Sequence, residues 1–200
     1  MGGTFNPPHT GHVNAARVAK ESVPLDKIIF IPAGIPPHKQ MAENSATVGE
    51  RLEMTRLAAA EIGAEVSDIE IAREGKSFTA DTLSELAKIY PDDELWLIMG
   101  TDMFLTIENW RDPERIFSLA SIAVMPRCDG DIDALTKHSE KLAKLYGTVS
   151  VVINEKSLTI SSTDIRPLIK SGKISEYLPG KVYEYILENK LYGISGSDET

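Results

Sequence analysis

The sequence has little of what marks a secreted, membrane-embedded or nucleic-acid-binding protein. Cys128 is its one cysteine, so no intrachain disulfide can form and a reducing compartment is the expected setting. No apolar run approaches the roughly 20 residues that a membrane-spanning helix needs, and no leader precedes the first motif. A cytoplasmic protein is therefore expected. Basic residues are outnumbered, with Lys+Arg 21 against Asp+Glu 30 and a formal net charge of −9. A field of that sign repels polyphosphate chains and anionic lipid surfaces, which counts against nonspecific nucleic-acid or membrane binding. It still leaves room for one local anion pocket. Internal repeats and low-complexity linkers are also missing, and 200 residues suit one domain with a real core. We expect a single domain over residues 1–193 and a frayed tail over 194–200. Nothing in the sequence sets the oligomeric state, and a homo-oligomer stays open.

What is present is an alternation of two apolar periods. Short β-branched runs stand at KIIFIP (27–32), VSDIEIA (66–72), ELWLIMG (94–100), SIAVMP (121–126) and TVSVVI (148–153). Helical spacing appears between them at Met54, Leu57, Ala58 and Ile62, over about 80–89, and at Leu135, Leu142 and Leu145. Strands alternating with helices predict βαβ units, hence an α/β fold built on a doubly wound parallel sheet. ELWLIMG, nearly continuous in its apolar character, suits a central strand. PAGIPPHK follows the first run, GTD the third, and ISSTDIR the fifth. In such sheets ligands bind beyond the carboxyl ends of the strands, so these scattered segments should converge on one edge.

The opening stretch, MGGTFNPPHTGH, carries the densest chemistry. Gly2 and Gly3 allow close backbone approach to a ligand, Pro7 and Pro8 stiffen the loop, and Gly11 lets a helix start tightly. A helix N-terminus offers N–H groups and a positive dipole to an anion. His9 and His12 lie on roughly one face and supply donors without permanent charge. Two other readings stand beside this one. The stretch can be a Gly/Pro turn with two incidental histidines. It can also be a metal site of His9, His12 and His38, although no Cys or carboxylate stands at ligand spacing to complete it. In ISSTDIR, Ser161, Ser162 and Thr163 are N-cap residues heading a helix, and Arg166 one turn in carries a planar, permanently charged fork. Taken alone, that is a capped helix with a solvent-facing arginine. Gly75-Lys76-Ser77 imitates the end of a phosphate-binding P-loop, but Glu70 stands where that loop needs glycine. It is read as a surface turn.

His9-Thr10-Gly11-His12 resembles the H-x-G-H signature of the adenylyltransferase superfamily. With ISSTDIR (160–166) the chain resembles, more narrowly, the bacterial nicotinate-nucleotide adenylyltransferases. PPHK (36–39), FTADTL (78–83), GTD (100–102), NWRDPERI (109–116) and VYEYILENKLYG (182–193) resemble segments of the same family, so the likeness spans nearly the whole chain.

That resemblance implies a Rossmann-like fold and adenylyl transfer from ATP to nicotinate mononucleotide, with Mg²⁺ carried in by ATP and no dedicated metal site. It implies His9, His12 and Arg166 as the catalytic groups. ATP would be bound by Gly2, Gly3, Thr4 and Phe5 with His12, by Gly100 and Asp102, and by Ile160, Ser161, Ser162 and Thr163 with Arg166. The acceptor would be met by Lys39, Thr79, Trp110 and Arg111, with the Trp110 indole on the pyridine ring. Each has a plainer alternative: Lys39 solvated, Thr79 capping a helix, Asp102 capping the short helix MFLTI, Trp110 in the core. Arg111 stands where the family often has an aromatic residue, and either adds positive charge for the acceptor carboxylate or points to solvent.

The family also carries a short apolar strand ahead of the glycine pair, where this chain has only Met1. The first, central strand is therefore expected to be truncated. A start placed too late in the sequence is the favoured explanation over a chain that lacks most of that strand.

Overall fold

In a computed structural model the protein is described over residues 1–37, 41, 44–155, 160–169 and 176–194. His38 and Lys39, and residues 195–200 of the expected tail, lie outside the described residues. The chain runs β1 (Gly2–Gly3), α1 (Thr10–Ser22), β2 (Ile29–Pro32), α2 (Val48–Ala60), β3 (Glu65–Val66), α3 (Ile69–Ala72) and α4 (Thr79–Ile89). It continues with β4 (Leu95–Gly100), α5 (Thr101–Thr106), α6 (Pro113–Leu119), β5 (Ala120–Met125), α7 (Ile132–Tyr146), β6 (Ser150–Val152), α8 (Ser162–Ile169) and α9 (Gly180–Glu188).

Among the described residues every strand pairing is parallel, in two three-stranded sheets of order β1-β2-β3 and β4-β5-β6. β1 touches β4, so the two sheets meet in the order 3-2-1-4-5-6 of a doubly wound fold. The ladder is not continuous across that seam. β1 is two residues long, and its ladder runs to β2: Ile31 N–H donates to the Met1 carbonyl and Ala33 N–H to the Gly3 carbonyl, both at 2.9 Å. The expected short first strand is what is found.

Four of the five apolar runs form strands where their pattern predicts. VSDIEIA does not. Only Val66 of it joins β3, and Ile69–Ala72 is the helix α3. Ser67 and Asp68 are the cause: the Ser67 hydroxyl accepts from the Ile69 N–H at 3.4 Å, and the Asp68 carbonyl accepts from Ile71 and Ala72 at 2.8 Å. Such local bonds give the backbone an alternative to the ladder.

Three apolar clusters hold the layers together. One seats α1 (Ala15, Ala16, Val18, Ala19) on Phe30, Ile98 and Ala123, spanning both sheets. A second packs Met54 and Ala58 of α2 against Ile165, Val182, Ile186 and Tyr192, with Ile194 at its margin. The third joins α4, α6 and α7 to β4 and β5. Burying each large apolar side chain stabilises by about 1.5–3 kcal/mol, so α8 and α9 are docked by several such contacts. On α7 the expected stripe is correct at Leu135 and Leu142, both fully buried, but Leu145 is 60% exposed. Tyr146, one position on, turns inward instead and stacks on Phe117 at 4.6 Å. Ile62 lies past the end of α2, in the turn that follows.

Candidate active site

Because all strands are parallel, the segments after β1, β2, β4 and β6 leave from carboxyl ends. The loop after β1 is shaped by its own side chains. Phe5 takes a left-handed φ of 48° and is 1% exposed, and its ring covers Gly3, where a Cβ would sit 2.8 Å from the ring. The same ring meets His12 edge-on at 5.0 Å and Phe30 at 5.6 Å. A side chain at position 3 would evict the residue that orients His12.

Three carbonyls of this loop are taken by side-chain donors from other elements. Arg51 Nη1 donates to the Thr4 carbonyl at 2.8 Å, Arg166 Nη1 to Asn6 at 2.9 Å, and the Ser162 hydroxyl to Pro7 at 2.9 Å. Acceptor oxygens engaged in this way carry less negative potential toward an incoming anion. The Asn6 side chain is buried as well, accepting from Ala46 N–H at 3.3 Å and the Tyr192 hydroxyl at 2.8 Å and donating to the Ser45 hydroxyl at 3.0 Å.

The two histidine rings lie face to face, with centroids 3.6 Å apart and planes 31° from parallel. His9 is the N-cap of α1, and its N–H donates to His12 Nδ1 at 3.1 Å. Accepting at Nδ1 puts the proton of a neutral His12 on Nε2. Burial pulls the His9 imidazole down to about 4, against the opposing pull of the Asp164 carboxylate. His9 is therefore neutral at pH 7. The α1 start is less open than its sequence suggests, since both the N–H and the hydroxyl of Thr10 donate to the Tyr177 carbonyl, at 3.0 and 3.1 Å.

The head of α8 reaches this loop from the far end of the chain. Ser161 and Asp164 cap each other: the Ser161 hydroxyl and N–H donate to Asp164 Oδ2 at 2.6 and 3.2 Å, and Asp164 N–H returns to the Ser161 hydroxyl. Those bonds hold the Asp164 carboxyl below its usual range. Arg166 spends one nitrogen on Asn6 and another on the Thr163 hydroxyl at 3.2 Å. Thus His9, His12, Ser162, Thr163 and Arg166 are brought together with Gly3, Thr4 and Phe5. Ile160, half-buried, lies just before the head of α8.

The remaining candidates make a second set, on β4, α4, α5 and the segment before α6. Gly100 is the N-cap of α5, so Asp102 does not cap that helix. Its carboxylate instead pairs with Arg127 at 2.7 Å. Thr79 does not cap α4 either: Phe78 holds the N-cap position and no side chain caps it. Arg111 does not simply face solvent, because its guanidinium lies 4.4 Å over the Phe78 ring and 3.5 Å from Asp81. Trp110 is half-buried against the third cluster. The loop after β2 joins this group, with the Ser77 hydroxyl accepting from Gly34 N–H at 3.0 Å and Ser77 N–H donating to the Ile35 carbonyl at 2.8 Å. Ser77, expected on a surface turn, is buried for that reason. Arg51, Asn6 and Tyr192 escape the sequence reading, although Arg51 left a signal: a charge on the same face of α2 as Met54, Thr55 and Ala58. Among the described residues, no group of three or more His, Cys, Asp or Glu side chains is placed to hold a metal ion, and no helix is long and apolar enough to cross a membrane.

Residues 1–168 match the cytidylyltransferase-like family. A Desulfitobacterium hafniense protein described as a probable nicotinate-nucleotide adenylyltransferase is 40% identical over 97% of this chain and 94% of its own length. One of the same description from Citrifermentans bemidjiense is 38% identical over 96% of both. In fold, the chain is similar to the Plasmodium falciparum nicotinic acid mononucleotide adenylyltransferase complexed with NaAD, with a TM-score of 0.76 at 18% identity, covering 97% of this chain and 96% of that one. With the H-x-G-H loop docked on the ISSTDIR helix and two such relatives matched almost end to end, the chain belongs to the nicotinate-nucleotide adenylyltransferases of the cytidylyltransferase-like family.

Proposed function

We propose that the protein transfers the adenylyl group of ATP to the 5′-phosphate of nicotinate mononucleotide, with residues 1–193 acting as one domain in the cytoplasm. An acceptor phosphate oxygen bonds to the α-phosphorus, the bond from that phosphorus to the β-phosphate bridging oxygen breaks, and pyrophosphate leaves with the electron pair. The observation that carries this reading is the stacked His9–His12 pair at the end of β1, with Arg166 of α8 bonded to the same loop.

The acceptor phosphate is already an anion, so no general base is needed. The barrier lies in bringing polyanions together and in the charge that develops on the α-phosphate, which makes positioning and electrostatics the main catalytic effects. His12 donates from Nε2 to the α-phosphate, and His9 holds its ring in place. Arg166, with three of its five N–H donors beyond the two bonds above, contacts the β- and γ-phosphates with Ser161, Ser162 and Thr163. Gly2, Gly3, Thr4, Phe5 and Ile160 line the nucleotide, and Gly100 and Asp102 face its ribose. Mg²⁺ would be held by the ATP phosphates and water and would supply charge neutralisation there. Trp110 stacks on the pyridine ring, and the start of α4 at Thr79, with Arg111 and Lys39, receives the acceptor's carboxylate and phosphate.

Pyrophosphate release tests this directly, with ATP and Mg²⁺ and each acceptor supplied in turn. Release with nicotinate mononucleotide well above that with the amide or with phosphopantetheine is expected. Equal release with the amide overturns the acceptor assignment, and ATP binding without release under any condition overturns the enzyme.

A further inference from the structure

Arg51 is the largest of the side chains buried almost completely, at 1% exposed. It lies on the inner face of α2, one turn before Met54 and Thr55, which are also fully buried. Burial pushes its guanidinium below the usual arginine range, but an arginine stays charged in a protein. Among the described residues its terminal nitrogens meet no carboxylate. They meet two backbone carbonyls, Thr4 at 2.8 Å and Gly34 at 3.1 Å, and its Nε is buried without a partner.

A buried cation held by neutral dipoles carries a desolvation cost that a leucine or methionine in the same stripe would not. What the guanidinium does that those residues cannot is geometric. Its rigid fork spans two carbonyls at once, one just past β1 and one just past β2, on strands that pair with each other. Gly34 is fixed from other sides too. Its N–H donates to the Ser77 hydroxyl, and a Cβ there would collide with the Glu70 carbonyl. On the far side of the fork, Thr4 leads directly into Phe5 and the His9–His12 pair.

We propose that Arg51 is a positioning residue: it sets the spacing between the loop that carries His9 and His12 and the 33–37 loop that leads to the acceptor group. The assignment of the two loops to two substrates rests on the function proposed above. Each substrate touches one loop, so loosening the strut leaves each binding event nearly intact and misaligns the two reacting phosphates. Misplacement of about 1 Å can cost ~10²-fold in rate.

The test uses the full chain with Arg51→Lys and Arg51→Met. Lysine keeps the charge and most of the stem but lacks the rigid planar fork that spans the two carbonyls, and methionine removes the strut. For folded Arg51→Lys, kcat should fall roughly 10- to 100-fold, with KM for ATP and for nicotinate mononucleotide each within about threefold of wild type. Backbone hydrogen exchange in the unliganded protein should accelerate in both 3–9 and 33–37, leaving α7 unchanged. A wild-type kcat, a raised KM for one substrate alone, or faster exchange in only one loop overturns the proposal. So does failure of both variants to fold, which assigns Arg51 to general stability. If the wild-type protein releases no pyrophosphate with nicotinate mononucleotide, the functional reading fails there, while exchange, which needs no substrate, still decides the strut.

Discussion

The Tyr192 hydroxyl donates to Asn6 Oδ1 at 2.8 Å and so ties together residues 186 positions apart. Burial raises the Tyr192 phenol well above its usual range, so it is a proton donor at every physiological pH. Asn6 sits inside the loop that presents His9, and Tyr192 lies at the end of the described chain. The turn at Leu191–Gly193 therefore takes part in shaping the loop after β1.

Tyr192→Phe removes that donor and leaves Asn6 Oδ1 only the longer bond from Ala46 N–H at 3.3 Å. A buried acceptor that loses its better partner costs about 1–3 kcal/mol. Urea unfolding should report a loss of that size, with the slope of the transition unchanged. A loss below about 0.5 kcal/mol, the size of an ordinary surface change, contradicts the clamp.

His12→Ala removes the Nε2 donor but leaves Phe5 packed on Phe30. Turnover should drop by ~10²–10³, about 2.7–4 kcal/mol of transition-state stabilisation, with the far-UV spectrum retained. Near-normal turnover by the folded variant would remove His12 from the proposed chemistry.

The parts of this site that could be read from the sequence are those made by local rules. Gly, Pro and His at fixed offsets define the first loop, and Ser-Ser-Thr ahead of an apolar stripe defines the start of α8. What stayed hidden depends on where a side chain goes once the chain is folded. Arg51 is marked in the sequence only as a charge on the apolar face of α2, and its two carbonyl partners appear once α2 is seen pressed onto the ends of β1 and β2. Thr79 has the chemistry of a cap but falls one residue inside α4. The run VSDIEIA has the composition of a strand, and the Ser67–Asp68 turn divides it. Asp102 and Arg111 look available for substrate by residue type, yet each already has a partner in the fold.

The glycine pair separates two effects of the same residue type. A Cβ added at Gly2 meets nothing within 4 Å, whereas one at Gly3 comes within 2.8 Å of the Phe5 ring. Gly3→Ala should therefore cost stability, about 1–3 kcal/mol as an overpacked site, and disturb His12 through Phe5. Gly2→Ala should unfold at the wild-type temperature. Any loss of ATP affinity in that variant then reports a ligand at close range rather than damage to the fold. Thermal unfolding with and without ATP distinguishes the two, and a Gly2→Ala protein with unchanged affinity takes Gly2 out of the nucleotide site.

His9 makes stability depend on pH with a predictable sign. Its folded value of about 4 lies below the ordinary 6.5 because burial disfavours the charged ring. Between those two values the unfolded chain binds a proton that the folded chain does not, so stability falls as pH drops from 6.5 toward 4. A gap of this size corresponds to about 3 kcal/mol, fully present above pH 6.5. His9→Gln keeps a polar side chain but does not titrate in this range. Its unfolding free energy, measured in urea at pH 7.5 and pH 4.5, should change less between the two than that of wild type, by up to about that amount. Parallel pH dependences for the two proteins would mean that His9 in the fold titrates near the ordinary 6.5 and that burial does not depress it. The ring would then take a proton against His12 already below about pH 6.5, and the reading of His9 as a buried neutral imidazole would fail.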